Sequence, residues 1–389
     1  MIAGAGLAAQ RAAETLRRNG YDGRLQMVSE ERVAPYDRPP LSKEFLAGER
    51  DHSTLRFRPD QWYDDHDVEL VLGVSAVELD TQRRDVVLSD GARLRYEQLL
   101  IATGSAPRRL PGTENYTNVH ELRTLADARG LRDALRPGAR VVVVGAGFIG
   151  QEVAATARRL GAEVTIIEAA ASPLAVVLGE QLGGWFAQLH REEGIEVLLS
   201  TRIARFHGSD TLDEVELDDG RRIACDALVV GIGTEPATAW LRSSGLDDRG
   251  VLTDATGRTA VPDVFAAGDA SRCFDPRLRA HVRTEHWEAA RRQGAGAAQA
   301  MLGLEAAPAG VPSFWSDQHG VRIQYLGHAQ GADGLLIDGD PAARDFTATF
   351  TQDERPIAAL LVGRPQALPA LRRQIHEATQ PNDLEKEAA

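Results

Sequence analysis

Two short glycine clusters are the residues of this 389-residue chain best suited to do chemistry. One is Gly4, Gly6 and Ala9 in "GAGLAA"; the other is Gly145, Gly147 and Gly150 in "GAGFIG". Between a strand and a helix, a first glycine permits a tight turn and a second lets the backbone approach a pyrophosphate. A third small residue lets helix and strand pack closely. The free N–H groups of the following helix then face the phosphates. Ala8 and Ile149 lie inside the two fingerprints and join them as candidate contacts. An acid follows each cluster: Glu30, twenty-six residues after Gly4, and Glu168, twenty-three after Gly145. Each acid can hydrogen-bond a pair of ribose hydroxyls. Glu168 also repels a 2′-phosphate, and "EAAASP" after it offers no arginine to welcome one, so the second site is expected to take NAD(H) rather than NADP(H).

Each turn needs a strand leading in and a helix leading out. Ile2 and Ala3 precede the first, with the helical run "AAQRAAETLRRNG" and the strand "LQMVSE" after it. "ARVVVVGAGFIG", "QEVAATARRLG" and "AEVTIIE" repeat the plan, and two parallel β-α-β units follow from the pattern. Met1 stands almost inside the first strand, which is therefore expected to be short. Antiparallel ribbons are expected in "VELDTQRRDVVLSDGARLRYEQLLIATG", with a turn at Asp90-Gly91, and in "DEVELDDGRRIACDALVVGIG". From about Ala306 the texture becomes antiparallel strands, closed by the helix "ALPALRRQIHEAT" and a loose tail after Pro381. The expected division is a discontinuous first nucleotide domain (1–108 and 236–305), a second nucleotide domain (109–235) and a small α+β C-terminal domain (306–389).

A net charge of −13 argues against binding nucleic acid or an anionic membrane. An acidic protein partner would need a local basic patch, for which "RRL" at Arg108 and "LRRQ" at Leu371 are candidates. The two cysteines, Cys225 and Cys273, form no C-x-x-C pair and give no metal site, which suits a reducing compartment. No apolar run approaches the roughly 18 residues needed to span a bilayer, and the start shows no signal-peptide pattern. The protein is expected in the cytoplasm.

Three further stretches carry a resemblance. "TAVPDVFAAGD" resembles the second FAD fingerprint of flavoproteins with two dinucleotide sites, "LLIATGSAPRRLPG" resembles their A-T-G-x-x-P crossover, and "PYDRPPLSK" resembles a loop laid over the flavin. Together they cover nearly the whole chain, from Gly4 to about Ile375. The chain is similar to the FAD-dependent ferredoxin reductases of oxygenase systems, the family that holds the putidaredoxin, biphenyl dioxygenase and rubredoxin reductases. That resemblance implies an α/β fold of two Rossmann-like dinucleotide-binding domains, glutathione-reductase-like, plus a small α+β C-terminal domain. It implies FAD in the first module and NADH in the second.

The resemblance also implies roles for single residues. Arg38 and Lys43 would lie beside the isoalloxazine and its neighbouring groups, with Lys43 stabilising negative charge on the reduced ring. Asp269, after Gly268, would bind the ribityl chain; Ala102, Thr103 and Gly104 form the crossover; Arg123 would reach the FAD pyrophosphate and the Ala76 backbone the adenine. Glu152 would position the nicotinamide amide, and the Gly233 backbone would touch NAD. Trp287 begins a helix at the flavin pyrimidine edge, and Trp315 is the aromatic group brought by the C-terminal domain. Lys43 and Glu152 are the candidate catalytic residues; His286 is given no acid–base role, because hydride transfer needs none.

Disulfide reductases of the same superfamily carry a redox cysteine pair near this part of the first domain. Here the first cysteine is Cys225, so electrons must leave the flavin directly. The implied acceptor is a [2Fe–2S] ferredoxin, an acidic electron-transfer protein that feeds an oxygenase. Two alternatives remain: a small radical or quinone acceptor, and an apoptosis-inducing-factor-like protein in which NADH binding switches interactions. Val176 in "PLAVVLGE" departs from the family pattern, which often has arginine there, and its absence would weaken NADH binding or shift its specificity.

Overall fold

A computed structural model describes residues 1–305 and 310–379. Five parallel strands form the first sheet, in the order Val264–Ala266, Leu99–Ile101, Ile2–Ala3, Leu25–Ser29 and Val68–Leu72. The opening strand is indeed only two residues long. Five more parallel strands form the second sheet: Glu196–Leu198, Glu163–Ile167, Arg140–Val144, Ala227–Val230 and Val119–His120. Both central strands are buried on two faces, which is why they read as continuous apolar runs.

Both expected ribbons form, each as three antiparallel strands. Gly91 turns the first with φ +88°, a conformation open to glycine. Two strands, Ser105–Pro107 and Thr234–Pro236, pair antiparallel where the chain crosses between the two modules. Beyond them a five-stranded antiparallel sheet runs in the order Ser313–Gln318, Val321–Gly327, Arg355–Val362, Asp345–Gln352 and Gly334–Asp340. One face of this sheet presents Ile323, Phe346, Ala348, Leu360 and Val362 to Leu178, Leu182 and Phe186 of the helix Ala175–Glu192. The other face presents Leu326, Ala359 and Leu361 to Ile375 of the closing helix Leu368–Ala378. That alternation is the two-residue period of a strand. The expected boundary near Ala306 and the tail after Pro381 both fall outside the described residues.

One crossing brings the ends of the first module together. The helix Leu7–Arg18 buries Ala8, Ala9, Ala12 and Ala13, all too small to hold another backbone away. The helix Trp287–Met301 lies against it, and a Cβ at Gly294 would stand 2.1 Å from the Ala8 carbonyl oxygen. Neither backbone can retreat, because each helix is also packed on the sheet. Gly294→Val is therefore expected to destabilise the fold by about 1–3 kcal/mol through overpacking, read as a lower midpoint in chemical unfolding.

Candidate functional site

The glycines of the two turns are required by clearance as well as by φ. Gly4 has φ +118°, and a Cβ there would lie 2.1 Å from the Ala102 oxygen; Gly145 has φ +96°, with the Gly231 oxygen at 2.5 Å. At Gly150 a Cβ would meet the Gly145 oxygen at 2.3 Å, whereas Ala9, at the equivalent place, is accommodated and wholly buried. Gly6 and Gly147 cap the helices Leu7–Arg18 and Phe148–Arg159 in extended conformation, with no side-chain cap. The leading N–H groups of both helices thus lack intrahelical partners and face the turn. A pyrophosphate fits both cradles. Glu168 accepts the Ala146 N–H at 2.7 Å and the Ala170 N–H at 2.8 Å, so the acid also braces its turn. Glu30 follows the second strand and is exposed.

Arg38 and Lys43, five residues apart, part company. Arg38 turns toward the crossover: it pairs with Glu31 at 2.8 Å and donates to the Arg123 carbonyl oxygen. Tyr36 donates to the other Glu31 oxygen at 2.6 Å. Arg123 in turn pairs with Asp269 at 3.1 Å, and Ser105 donates to the same Asp269 oxygen at 2.9 Å. Burial and the nearby Arg38 guanidinium push the Arg123 pKa down, and Asp269 opposes them. Burial works against Arg38 too, but Tyr36 and Glu31 outweigh it and raise its pKa. Two half-buried cations share this patch, an arrangement suited to an anion.

Lys43 turns the other way and joins a buried hub. Its ammonium donates to Glu152 at 2.8 Å, and Ser42 donates to the same oxygen. Ser316 donates to the other Glu152 oxygen at 2.6 Å, and Gln318 supports Ser316 at 3.0 Å. The loop after Arg38, the helix Phe148–Arg159 and the strand Ser313–Gln318 thus meet on one carboxylate. Thr156, one turn along that helix, donates to the Ser42 carbonyl at 2.8 Å.

Aromatic groups frame this junction. Trp287 opens its helix, donates its indole N–H to Asp37 at 2.7 Å, and meets Trp315 edge-on at 5.8 Å. Burial raises the Asp37 pKa against that bond and the neighbouring cations. His286 lies beside Phe314 at 4.6 Å; burial and then His328 push its pKa down to about 4, so it is neutral near pH 7. The His286 Nδ1 and Arg283 Nη1 atoms are buried with no protein partner. Orphaned polar atoms beside glycine cradles fit a bound polar ring system, so the residues present suit FAD. Arg291, Arg292 and Arg372 crowd one another on the same helix and the closing helix, and Arg373 beside them is exposed.

The remaining candidates take these places. Thr103 donates to the Ala237 carbonyl at 2.7 Å, and the Gly104 carbonyl accepts from the Ala237 N–H at 2.9 Å. The Gly268 N–H donates to Gln293 at 2.8 Å, and a Cβ on Gly268 would sit 3.2 Å from that of Ala8. Gly233 has φ +95° and its carbonyl accepts the Arg108 N–H at 3.0 Å. Ala76 opens its ribbon opposite Leu88. Ile149 and Val176 are exposed, Val176 completely. Asp37, Ser42, Ser105, Ser316 and Gln293 were not singled out by sequence reasoning, although Asp37, Ser42 and Ser105 lie inside the quoted stretches. Only the fold shows which carboxylate, indole or turn each one meets.

Residues 1–294 match the family model described as pyridine nucleotide-disulphide oxidoreductase, and residues 313–387 match the one described as reductase C-terminal. The ferredoxin–NAD(+) reductase component of the anthranilate 1,2-dioxygenase system of Burkholderia cepacia is 40% identical, covering 98% of this chain and 95% of its own. The corresponding component of the biphenyl dioxygenase system of Paraburkholderia xenovorans is 40% identical over 87% of this chain and 83% of its own. Among solved structures, the covalent putidaredoxin reductase–putidaredoxin complex matches with a TM-score of 0.94 at 32% identity, over 97% of this chain and 92% of that one.

Removing one partner of the Lys43–Glu152 pair strands a buried charge. Lys43→Met is expected to destabilise by about 3 kcal/mol, and the Lys43→Met/Glu152→Leu double variant to lose about 2 kcal/mol less than the sum of the singles. A double-mutant cycle by chemical unfolding measures both figures. A second expectation concerns acid. His286 and His190 have folded pKa values of about 4 and about 3, below the ordinary 6.5. The unfolded chain therefore binds their protons first. Stability is full above about pH 6.5 and falls toward pH 4, by up to about 1.4 kcal/mol per pH unit for each histidine. Unfolding midpoints at pH 7.5, 6 and 5 should decline; a flat profile would contradict the assignment.

Proposed function

The chain belongs to the pyridine nucleotide-disulphide oxidoreductase family and carries a reductase C-terminal segment, and on that footing we propose that it is an NADH-dependent flavoprotein reductase of a [2Fe–2S] ferredoxin that serves an oxygenase. The overall reaction is NADH plus two oxidised ferredoxins giving NAD+, a proton and two reduced ferredoxins. Bound FAD supplies the step the protein cannot: it takes two electrons as a hydride and gives them up one at a time. The observation that carries the reading is the loop from Arg38 to Lys43. It brings a lysine and its paired carboxylate, and no thiol, to the junction of the three sheets. Both cysteines are free, Cys225 among the apolar residues of the second module and Cys273 on the strand Ser271–Asp275.

The protein's part is placement. Gly4, Gly6, Ala8, Ala9, Glu30 and Ala76 hold the adenosine end of FAD, while Arg38, Arg123, Gly268 and Asp269 hold its phosphates and ribityl chain. Ala102, Thr103 and Gly104 carry the backbone between the modules. Gly145, Gly147, Ile149, Gly150, Glu168 and Gly233 hold NADH. Glu152, fixed by Lys43, Ser42 and Ser316, orients the nicotinamide, and Lys43 sets a positive charge where the reduced ring becomes negative. Trp287 and Trp315 cover the flavin edge toward the partner. Arg372 and Arg373, beside Arg291 and Arg292 around their shared partner Glu288, give an overall acidic protein the local positive charge that an acidic ferredoxin requires. No helix among the described residues is long and apolar enough to cross a membrane, and free cysteines suit work in the cytoplasm.

Anaerobic mixing of the flavin-loaded protein with NADH is expected to bleach the flavin band, and added [2Fe–2S] ferredoxin to restore it. NADPH should be at least about tenfold less effective, because its 2′-phosphate meets Glu168, and Glu168→Gln should narrow that gap. Reduced flavin that a quinone discharges and ferredoxin does not would overturn the acceptor.

A further inference from the structure

We propose that His319, His190 and Gln151 are positioning residues for NADH, a directed chain of hydrogen bonds that fixes the Ala146–Gly147 peptide so that its N–H faces the dinucleotide pyrophosphate. This deepens the reading above and rests on it, since it takes the Gly145 turn as the NADH site.

The chain has four members and one direction. Gln151 Nε2 donates to the Ala146 carbonyl oxygen at 2.8 Å, which leaves Gln151 Oε1 as an acceptor. His190 Nε2 lies 3.0 Å from that oxygen and must carry the proton. A neutral His190 then accepts at Nδ1, where His319 Nε2 stands at 2.9 Å and donates. Gln151 and His190 are at most 1% exposed, so no water competes for these bonds. Burial, and then His319, depress the His190 pKa to about 3, which keeps the ring neutral and the direction unchanged through the neutral pH range.

Peptide planarity turns this into aim. In a trans peptide the C=O and the next N–H point in opposite directions. Drawing the Ala146 oxygen inward toward Gln151 therefore sends the Gly147 N–H outward, at the helix start where a phosphate binds. The neighbouring Ala146 N–H is held by Glu168, so the peptides on both sides of Ala146 are fixed by separate side chains.

The first module supplies an internal comparison. Gln10 follows Ala5 by five residues, as Gln151 follows Ala146. Yet Gln10 donates to Glu14 at 3.0 Å and accepts from Tyr63 at 2.7 Å, and so contributes nothing to its turn. The difference matches the two ligands. FAD stays and can order its own turn once, whereas NADH leaves in every cycle and must find the turn already shaped, which lowers the ordering cost of each binding event. His319 sits at the hairpin after the strand Ser313–Gln318 with φ +50°, so the C-terminal sheet reaches the NADH turn through this chain.

Calorimetric titration of ADP-ribose into the FAD-loaded protein reads the pyrophosphate contact without hydride transfer or ferredoxin. His190→Phe keeps a ring and removes both bonds together with the contact to Gln318; its Kd is expected to rise about tenfold, and that of His319→Phe, which removes only the outer link, about threefold. FAD content and the flavin bleaching rate at saturating NADH should stay at the wild-type level, a split that a general loss of packing would not produce. Should His190→Phe fail to fold, Gln151→Met tests the same clamp. ADP-ribose binding within twofold of wild type in the folded variants overturns the proposal. Wild-type protein that does not bind ADP-ribose overturns both the proposal and the NADH reading. Wild-type protein that binds it but never reduces ferredoxin sinks only the acceptor assignment.

Discussion

A single buried carboxylate sets the terms for the rest of the molecule. Glu152 is 3% exposed, and its carboxylate is held by bonds from Ser42, Lys43 and Ser316 that offset the cost of burying it. Those donors come from three different parts of the chain. The flavin loop, the second nucleotide module and the C-terminal sheet cannot drift apart without stranding the charge. Apolar packing of Leu178, Leu182 and Phe186 against the sheet supplies attraction between the units, but it tolerates sliding. The polar hub does not, and it fixes their register.

Close backbone approach is the second constraint, and it works where side chains would interfere. Gly4 against Ala102, Gly145 against Gly231 and Gly294 against Ala8 each leave no room for a Cβ. At the first two places the missing side chain lets a turn bend beneath a phosphate. At the third it lets two helices touch, so that the end of the first module closes over its beginning.

Much of this was legible in the sequence, for physical reasons that are local. The Gly-Ala-Gly turns, the two β-α-β units and both ribbons follow from glycine conformations and strand periodicity within windows of a few tens of residues. The sorting of Arg38 toward Glu31 and the Arg123 carbonyl, and of Lys43 toward Glu152, was not legible, because it depends on groups 85 and 109 residues away that only the fold presents to each. Ser42 and Ser316 were unremarkable as letters: a serine acquires meaning only from a partner 110 or 164 residues away. Gln10 and Gln151 make the point most sharply, being alike in motif and offset but wired to different partners. Motifs describe the surface a ligand meets; the groups that hold the surface in shape are selected by tertiary contact.

The strand order of the first sheet has a consequence for how the chain is made. Strand Leu99–Ile101 pairs on one side with Ile2–Ala3 and on the other with Val264–Ala266. The second sheet, by contrast, is drawn from one uninterrupted stretch, residues 119–230. As the polypeptide leaves the ribosome, that inner sheet can assemble while the outer one still lacks its last strand and its covering helix. Until then Leu99–Ile101 presents an open apolar edge, the feature that invites pairing with another nascent chain. The protein's vulnerable interval therefore lies in mid-synthesis and ends only when Gly294 settles onto Ala8.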